Sequence, residues 1–183
     1  MLVIGLDTET TDLDPKKGAR IIEIAMITVE IKKEDDDKFS MKAVDKYTRR
    51  VNPRCEINPK AEAVHGISLS SLASEPYFED IADAVSKRIE RADWMVAHNA
   101  DFDVEFIVSE LTKVSRPIPD TQVFCTMEQG TWATSTGKLP SLQELCFACG
   151  VMYDPTKAHA ATYDVLVMLS SLKAGIERGH FKF

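Results

Sequence analysis

The sequence has few cysteines and no long apolar run. Four of its 183 residues are cysteines, too few for the dense disulfide framework of a small secreted domain. No apolar stretch approaches the roughly 18 residues that cross a bilayer, and Asp7 interrupts the apolar run Leu2–Leu6 too soon for a secretion signal. We therefore expect reduced thiols, a cytoplasmic location and no membrane partner.

The sequence also lacks an excess of positive charge. It has 22 Lys and Arg against 29 Asp and Glu, a formal net charge of −7. Broad, salt-driven binding to a nucleic-acid duplex is therefore not favoured, because each phosphate contact needs a basic side chain to displace counterions. A local acidic site filled by divalent cations would be compatible with a polyanionic ligand. No repeat or linker divides the chain, so we predict one domain over residues 1–183.

Cys146 and Cys149 form a CxxC pair, which could be half of a zinc site. No second Cys or His pair with ligand spacing follows it. On an amphipathic helix the same spacing places both thiols on one face, so we predict two buried structural cysteines.

Strands are concentrated in the first part of the chain, where Ile and Val are frequent. A turn with Asp, Pro and Gly separates the first two, and the acidic run Glu34–Lys38, which lacks the spacing of a calcium-binding loop, is predicted as a charged loop. The irregular region Cys55–Tyr77 follows. The predicted strands are Leu2–Asp7, Ala19–Ile31 and Val44–Val51.

Helices then alternate with short strands. Ile81, Val85 and Ile89 recur at helical spacing, and further apolar stripes predict later helices. This order predicts an α/β fold with a mixed central β-sheet flanked by helices on both faces. The remaining predicted elements are strand Trp94–Ala97, a helix with Val104 to Leu111, strand Gln122–Cys125 with a helical stretch after it, loop Gly130–Pro140, a helix from Ser141 to about Cys149, and a last helix with Val165 to Ile176.

Asp7 and Glu9 are the first pair of candidate site residues. They lie two residues apart at the end of the first strand, and this spacing places both side chains on one face. Two neighbouring carboxylates repel unless a cation or water neutralises them. Surface acids at a strand end would also explain this pair when it is considered alone.

The second candidate cluster is His98–Asp103, at the junction of strand Trp94–Ala97 with the next helix. Asn99 fits the N-cap position, and Asp103 would lie in the first turn, where negative charge is favoured. Capping explains one Asp, but it does not explain why His, Asn and Phe occur together here.

The third cluster is His159–Asp164, at the start of the last helix. Five helical steps rotate a residue by about 140°, so these two side chains cannot share one face of a regular helix. His159 must therefore lie at or before the helix start, where an imidazole is suited to act as a base near metal ions. A solvated histidine beside a helix N-terminus is the alternative.

Together, four acids and one histidine lie at the ends of three elements. In-line hydrolysis of a phosphodiester can use two cations about 3.5–4 Å apart, and Mg²⁺ or Mn²⁺ prefer carboxylate ligands to imidazole or thiolate. We expect Asp7, Glu9, Asp103 and Asp164 to bind two such ions and His159 to accept a proton.

These three motifs resemble those of the DnaQ-like 3′–5′ exonucleases of the DEDDh type, a family whose best-known member is the proofreading ε subunit of bacterial DNA polymerase III. Three ordered motifs along nearly the whole chain make chance agreement improbable. Weaker similarities occur at Ile21–Ala25, Val64–Ile67 and Lys138–Leu142. The resemblance implies an RNase H-like fold, with the four acids holding two metals and His159 as general base.

The resemblance also implies a pocket for the terminal nucleotide. Asp12 departs from the family pattern, because the first motif usually continues with Gly at this position, and we expect this to alter the turn that carries Leu13. The implied pocket residues are Thr8, Thr10, Leu13, His65, Asn99 and Phe102.

The leading hypothesis is an exonuclease that acts on single-stranded DNA or frayed 3′ ends and releases nucleoside 5′-monophosphates. An RNA-trimming enzyme is a rival within the same chemistry, because the 2′-OH is read by local contacts that the sequence does not locate. A proofreading subunit bound non-covalently to a polymerase is a third hypothesis, and a non-catalytic nucleic-acid-binding module is a fourth.

Overall fold

The computed structural model describes residues 1–34 and 38–183, so the Asp35–Asp37 part of the predicted charged loop lies outside the described residues. Five strands and five α-helices make up the regular structure of this part of the chain. The strands are β1 Leu2–Thr10, β2 Ile21–Lys33, β3 Phe39–Arg50, β4 Trp94–Ala97 and β5 Gln122–Cys125. The helices are α1 Pro59–His65, α2 Phe78–Glu90, α3 Ala100–Lys113, α4 Leu142–Cys149 and α5 Ala161–Glu177.

The strands form one mixed sheet in the order β3-β2-β1-β4-β5. β1 pairs antiparallel with β2 and parallel with β4, so the first strand is also the central one. β3 continues the antiparallel half and β5 the parallel half. The carboxyl end of β1 therefore lies in the middle of the sheet edge, near the helices that follow β4 and β5.

Alternate residues of β1 face two different apolar layers. Ile4 and Leu6 pack with residues of α2 and α3, whereas Val3 packs with residues of α4 and α5. Gly5 lies on the α5 side, and a Cβ atom there would meet Leu169 Cδ1 at 2.9 Å. Glycine therefore permits the close approach of α5 to β1, which brings the start of α5 near the end of this strand.

The predicted α/β fold with a mixed sheet covered on both faces is confirmed. Strands Trp94–Ala97 and Gln122–Cys125 have the predicted bounds, and Cys146 and Cys149 are both buried on α4 as free thiols. Several local predictions were wrong, and among them the third strand begins at Phe39 rather than at Val44. The region Cys55–Tyr77 contains α1, and the residues after Cys125 form turns rather than a helix.

The reason for missing α1 is its shortness. Its start has the signals of a helix, with Asn58 as N-cap and Pro59 in the first turn, and Gly66 ends it in the left-handed conformation. Seven residues make too few turns for an apolar stripe, and none of them is buried. Among the described residues, no helix is long and apolar enough to cross a membrane. The single domain over residues 1–183 stays a prediction.

Candidate active site

Asp7 and Glu9 project from the last residues of β1 toward α5. Their odd numbers place them on the same face as Gly5, which contacts α5. Glu9 is 9% exposed and Asp7 is half-buried. The strand extends to Thr10, three residues beyond the predicted end, so both acids are held by the ladder with β2. This rigid backbone defines one side of the candidate site.

Asp103 approaches the same strand end from the opposite helix layer. It lies in the first turn of α3 and is 2% exposed. The hydroxyl of Thr8 donates a hydrogen bond of 2.8 Å to Asp103 Oδ1. Asp103 is therefore anchored to β1 by the residue that lies between Asp7 and Glu9 in the sequence.

Asn99 occupies the predicted N-cap position of α3, but it does not cap through its side chain. Its backbone is left-handed, with φ 77°, and it makes no side-chain hydrogen bond to the first turn. The neighbouring His98 is structural: its ring nitrogens lie 3.0 Å from Thr126 Oγ1 and 3.1 Å from the Pro140 carbonyl oxygen. Burial lowers the pKa of His98 below its ordinary value.

Asp164 and His159 come from the start of α5. His159 precedes the helix by two residues with φ 61°, as expected from the spacing of this motif. Its backbone N–H donates a hydrogen bond of 2.9 Å to Asp164 Oδ2, while its side chain is exposed. One ligand atom from each of Glu9, His159 and Asp164 lies within 4.8 Å of the other two. Asp7 and Asp103 do not belong to this 4.8 Å group.

Burial raises the pKa of each carboxylate in the candidate site. Burial, followed by the charges of Asp164 and Glu23, raises the pKa of Glu9 to about 8. Burial raises the pKa of Asp103 to about 7 despite the opposing hydrogen bond from Thr8. Among the described side chains, no Lys or Arg forms an ion pair with Glu9 or Asp103. A bound metal ion would neutralise these two carboxylates and favour their ionised forms.

Asp7 and Asp164 show the same trend. Burial is the main cause that holds the pKa of Asp7 well above its usual range, and the charges of Asp103, Glu9 and Asp164 act in the same direction. Burial also raises the pKa of Asp164, against the hydrogen bond from the His159 backbone. Burial therefore raises the pKa of all four carboxylates, and repulsion from neighbouring acids adds to it at Asp7 and Glu9.

The donor set fits hard divalent cations. Asp164 Oδ1 is buried and has no hydrogen-bond partner among the described residues. An unpaired buried carboxylate oxygen is costly unless something charged approaches it. Carboxylate oxygens are the ligands that Mg²⁺ and Mn²⁺ prefer, so the site has the chemistry to hold such ions.

A pocket of about 480 Å³ opens beside the acids. Five of the six residues predicted to contact a terminal nucleotide line it, and Asn99 does not. Those five are Thr8, Thr10, Leu13, His65 and Phe102. The pocket is also lined by Glu9, so the cavity is continuous with the acidic cluster.

One wall of this pocket could not be foreseen from the motifs. α1 and its N-cap supply it, through Asn58, Lys60, Ala61, Val64 and His65. Of these, only His65 was predicted. The signal that could have found the rest is the Asn-Pro helix start followed by Gly66.

His65 itself is held by a local contact. Its Nδ1 accepts a 3.0 Å hydrogen bond from the Ile67 backbone N–H. Its Nε2 is buried and has no hydrogen-bond partner among the described residues. Burial lowers the pKa of His65 below its ordinary value, against an opposing contact with the Thr10 backbone.

The fold belongs to the RNase H-like class, and its structural neighbours are exonucleases. Residues 4–172 match the model of the RNase_T family, a family of exonucleases. The chain therefore belongs to this exonuclease family, and the predicted DnaQ-like membership and enzyme class are confirmed.

Two curated relatives illustrate the similarity. The chain is 30% identical over 172 residues to the DNA polymerase III subunit epsilon of Escherichia coli K12, covering 90% of this chain and 67% of the relative. It is 33% identical over 125 residues to the 3′-5′ exonuclease DinG of Bacillus subtilis 168, covering 68% of this chain but 12% of that protein. The similarity to DinG thus concerns a small part of a much longer chain.

Solved structures agree with this family. A structure of Exonuclease X in complex with 5′ overhanging duplex DNA has a TM-score of 0.66 and 26% identity, with 97% of this chain and 92% of that one covered. Exonuclease I of E. coli in complex with a dT13 oligonucleotide has a TM-score of 0.75 and 17% identity, with 95% and 40% covered. The second likeness shows the fold, and the predicted RNase H-like architecture is confirmed.

Proposed function

We propose that this protein is a 3′–5′ exonuclease that removes nucleoside 5′-monophosphates from single-stranded or frayed DNA ends. In this proposal Asp7, Glu9, Asp103 and Asp164 hold two divalent cations, Mg²⁺ or Mn²⁺, and His159 is the general base. The observation that carries the proposal is the convergence of four acids with raised pKa from β1, α3 and α5 at one end of the sheet.

Each group has a separate task in this mechanism. The bound cations would activate the attacking water and stabilise the leaving 3′ oxygen. The imidazole of His159 is exposed beside Glu9 and Asp164, so it can accept a proton from water and pass it to solvent. The hydrogen bond from the His159 backbone to Asp164 fixes the segment that carries this base.

The pocket would hold the terminal nucleotide while the acids face its phosphodiester. Its floor is the end of β1, and Phe102 and Leu13 offer apolar surface for a base and sugar. Stacking on an aromatic ring tolerates every base, which suits an enzyme that removes nucleotides in turn. A pocket of about 480 Å³ holds one nucleotide rather than a duplex end.

DNA is favoured over RNA as the substrate because Exonuclease X, at 26% identity, is solved in complex with DNA, and the epsilon relatives are subunits of a DNA polymerase. A non-covalent polymerase partner is a second proposal, supported by the relatives named as epsilon subunits of DNA polymerase III. We further propose a cytoplasmic location, which is where such a polymerase partner would be met.

The test is hydrolysis of matched, 5′-labelled DNA and RNA oligomers with Mg²⁺, Mn²⁺ or EDTA. We expect a ladder that shortens from the 3′ end of DNA, requires metal and leaves a 3′-hydroxyl on each shortened strand, because the phosphate departs with the released nucleotide. Asp7→Ala is the inactive control. A ladder from RNA alone would refute the DNA preference, and internal cuts without a 3′ ladder would refute the exonuclease assignment.

A further inference from the structure

Asp12 stands where the first motif of the family usually has glycine, and the structure shows how the chain accommodates it. Asp12 is not among the described residues with positive φ, so this turn does not need a glycine conformation. The Thr10 hydroxyl donates a 2.8 Å hydrogen bond to the Asp12 carbonyl oxygen. The turn is therefore stabilised by its own polar groups.

Both carboxylate oxygens of Asp12 accept hydrogen bonds. Oδ1 accepts from the Leu13 backbone N–H at 2.8 Å, and Oδ2 accepts from Asn58 Nδ2 at 3.0 Å. The hydrogen bond from Asn58 is the main cause that lowers the pKa of Asp12, followed by the bond from Leu13. One side chain thus holds the residue that follows it and a residue 46 positions away.

Asn58 continues this connection into α1. Its Oδ1 accepts a 3.0 Å hydrogen bond from the Lys60 N–H as the N-cap of the helix, and its own backbone N–H donates to the Thr11 carbonyl at 2.8 Å. The orientation of the Asn58 side-chain amide is therefore fixed, since a flip would break both the cap and the contact with Asp12. We name the contacts among Thr11, Asp12 and Asn58 the Asp12–Asn58 clasp.

α1 depends on polar contacts of this kind because it buries little. None of its residues is buried, and only Ala61 packs partly against the small cluster of Ile22, Ile57, Ile67 and Leu72. Yet α1 and Asn58 form one wall of the 480 Å³ pocket, which Phe102 and the exposed Leu13 also line. The hydrogen bonds at the N-terminal end of α1 therefore help to set the position of this wall.

We propose that the Asp12–Asn58 clasp is a positioning device that sets the width of the nucleotide pocket, by tying the turn that carries Leu13 to the helix that carries His65. The inference rests on the proposed function, because only that function makes the pocket a nucleotide site. The hydrogen bonds of the clasp are present in the substrate-free protein. It acts on binding of the terminal nucleotide and leaves the acids in place.

The sharpest test exchanges the two partners. Asp12→Asn turns one accepting oxygen into an N–H₂ donor, which must face either the Leu13 N–H or Asn58 Nδ2, and Asn58→Asp places two carboxylates together. The double variant D12N/N58D restores a hydrogen bond of reversed polarity, and aspartate remains a good N-cap. Asp14→Asn is the matched control, because it removes one charge from the same turn without a bond to α1.

Two readouts are needed. The first is the KM and kcat for single-stranded DNA with Mn²⁺, where we expect each single variant to raise KM roughly three- to tenfold, with kcat changed less. The second is hydrogen exchange of the metal-free protein, where the α1 amides of Lys60, Glu62 and Gly66 should lose protection. The double variant should restore much of the wild-type KM and of the protection of α1, and Asp14→Asn should change neither.

The outcomes separate the two proposals. If the single variants leave α1 protection and KM unchanged, or if the double variant is no better than the singles, the clasp is refuted. If the exchange data follow the expected pattern while the wild type hydrolyses neither DNA nor RNA, the clasp stands as a structural feature and the proposed function fails.

Discussion

The two helices that deliver acids to the end of β1 do so in opposite ways. α3 presents Asp103 almost fully buried, with its Oδ1 held by Thr8. α5 presents Asp164, whose buried Oδ1 has no hydrogen-bond partner among the described residues, and the exposed His159, with a left-handed backbone, precedes this helix by two residues. The α3 side is built to hold charge at a fixed position, whereas the α5 side leaves an oxygen and an imidazole available. In the proposed mechanism both sides supply a metal ligand, Asp103 and Asp164, and only the α5 side also supplies the general base, His159.

The largest effect should come from the loss of Asp103 on the α3 side. Asp103→Asn should lower kcat by roughly 10³-fold or more, because a bound metal supplies several kcal/mol of transition-state stabilisation. The measurement is single-turnover hydrolysis of labelled single-stranded DNA. Circular dichroism serves as the folding control, since asparagine can still accept the bond from Thr8. More than a tenth of wild-type activity would contradict the metal-ligand role of Asp103.

A smaller loss of activity is expected when the exposed His159 is replaced. His159→Ala should lower kcat about 10²-fold, within the range of general-base catalysis, but leave metal binding intact. The Mn²⁺-induced rise in Tm should therefore match that of the wild type. Lys157→Ala is a neighbouring control, as its exposed side chain pairs with Asp154. Loss of the Mn²⁺ effect would instead make His159 a metal ligand, as its distance to Glu9 and Asp164 would permit.

Thr8→Val removes the bond that anchors Asp103. This bond lowers the pKa of Asp103, so its loss should raise that pKa further and reduce kcat about tenfold near pH 7, with partial recovery at pH 9. The free energy of unfolding should fall by about 1–2 kcal/mol, because the hydrogen bond is buried. Thr28→Val on β2, paired with Ile4, is the matched strand control. A loss of activity that does not vary with pH would contradict this mechanism.

The smallest effect concerns the stability of the metal-free protein. The folded-state pKa of Glu9 is about 8 against an ordinary value of 4.5, and that of Asp103 is about 7 against 3.8. The folded state therefore retains protons that the unfolded state releases, so stability should fall as pH rises from about 4.5 to 8. Tm measured in EDTA should decrease across this window, and the rise in Tm caused by Mn²⁺ should be larger at pH 8 than at pH 5.5.

The Asp103→Asn variant sharpens that comparison. With one of the repelling acids removed, its Tm in EDTA should depend less on pH than that of the wild type. A metal-free Tm that rises with pH through the same window would show that the buried carboxylates are not the source of the dependence.

Most of the sheet and its two helical layers could be predicted, because period-two and helical apolar patterns are local properties of the chain. Strand Trp94–Ala97 and the helix after Ser141 are examples. α1 could not, since it has no buried face to create a pattern. Asn99 also departs from expectation: its backbone is left-handed, and its side chain makes no hydrogen bond to the first turn of α3.

The three sequence motifs by themselves identified the four acids and the histidine that are suited to metal and proton chemistry. The spacing of Asp7 and Glu9 alone placed both side chains on one face of a strand. Only the tertiary structure decided how these groups behave. Burial raises the pKa of Asp103, and burial with repulsion from acids of distant segments raises that of Glu9. The Asp12–Asn58 contact joins two segments 46 residues apart. Such properties depend on long-range packing, which no local pattern encodes.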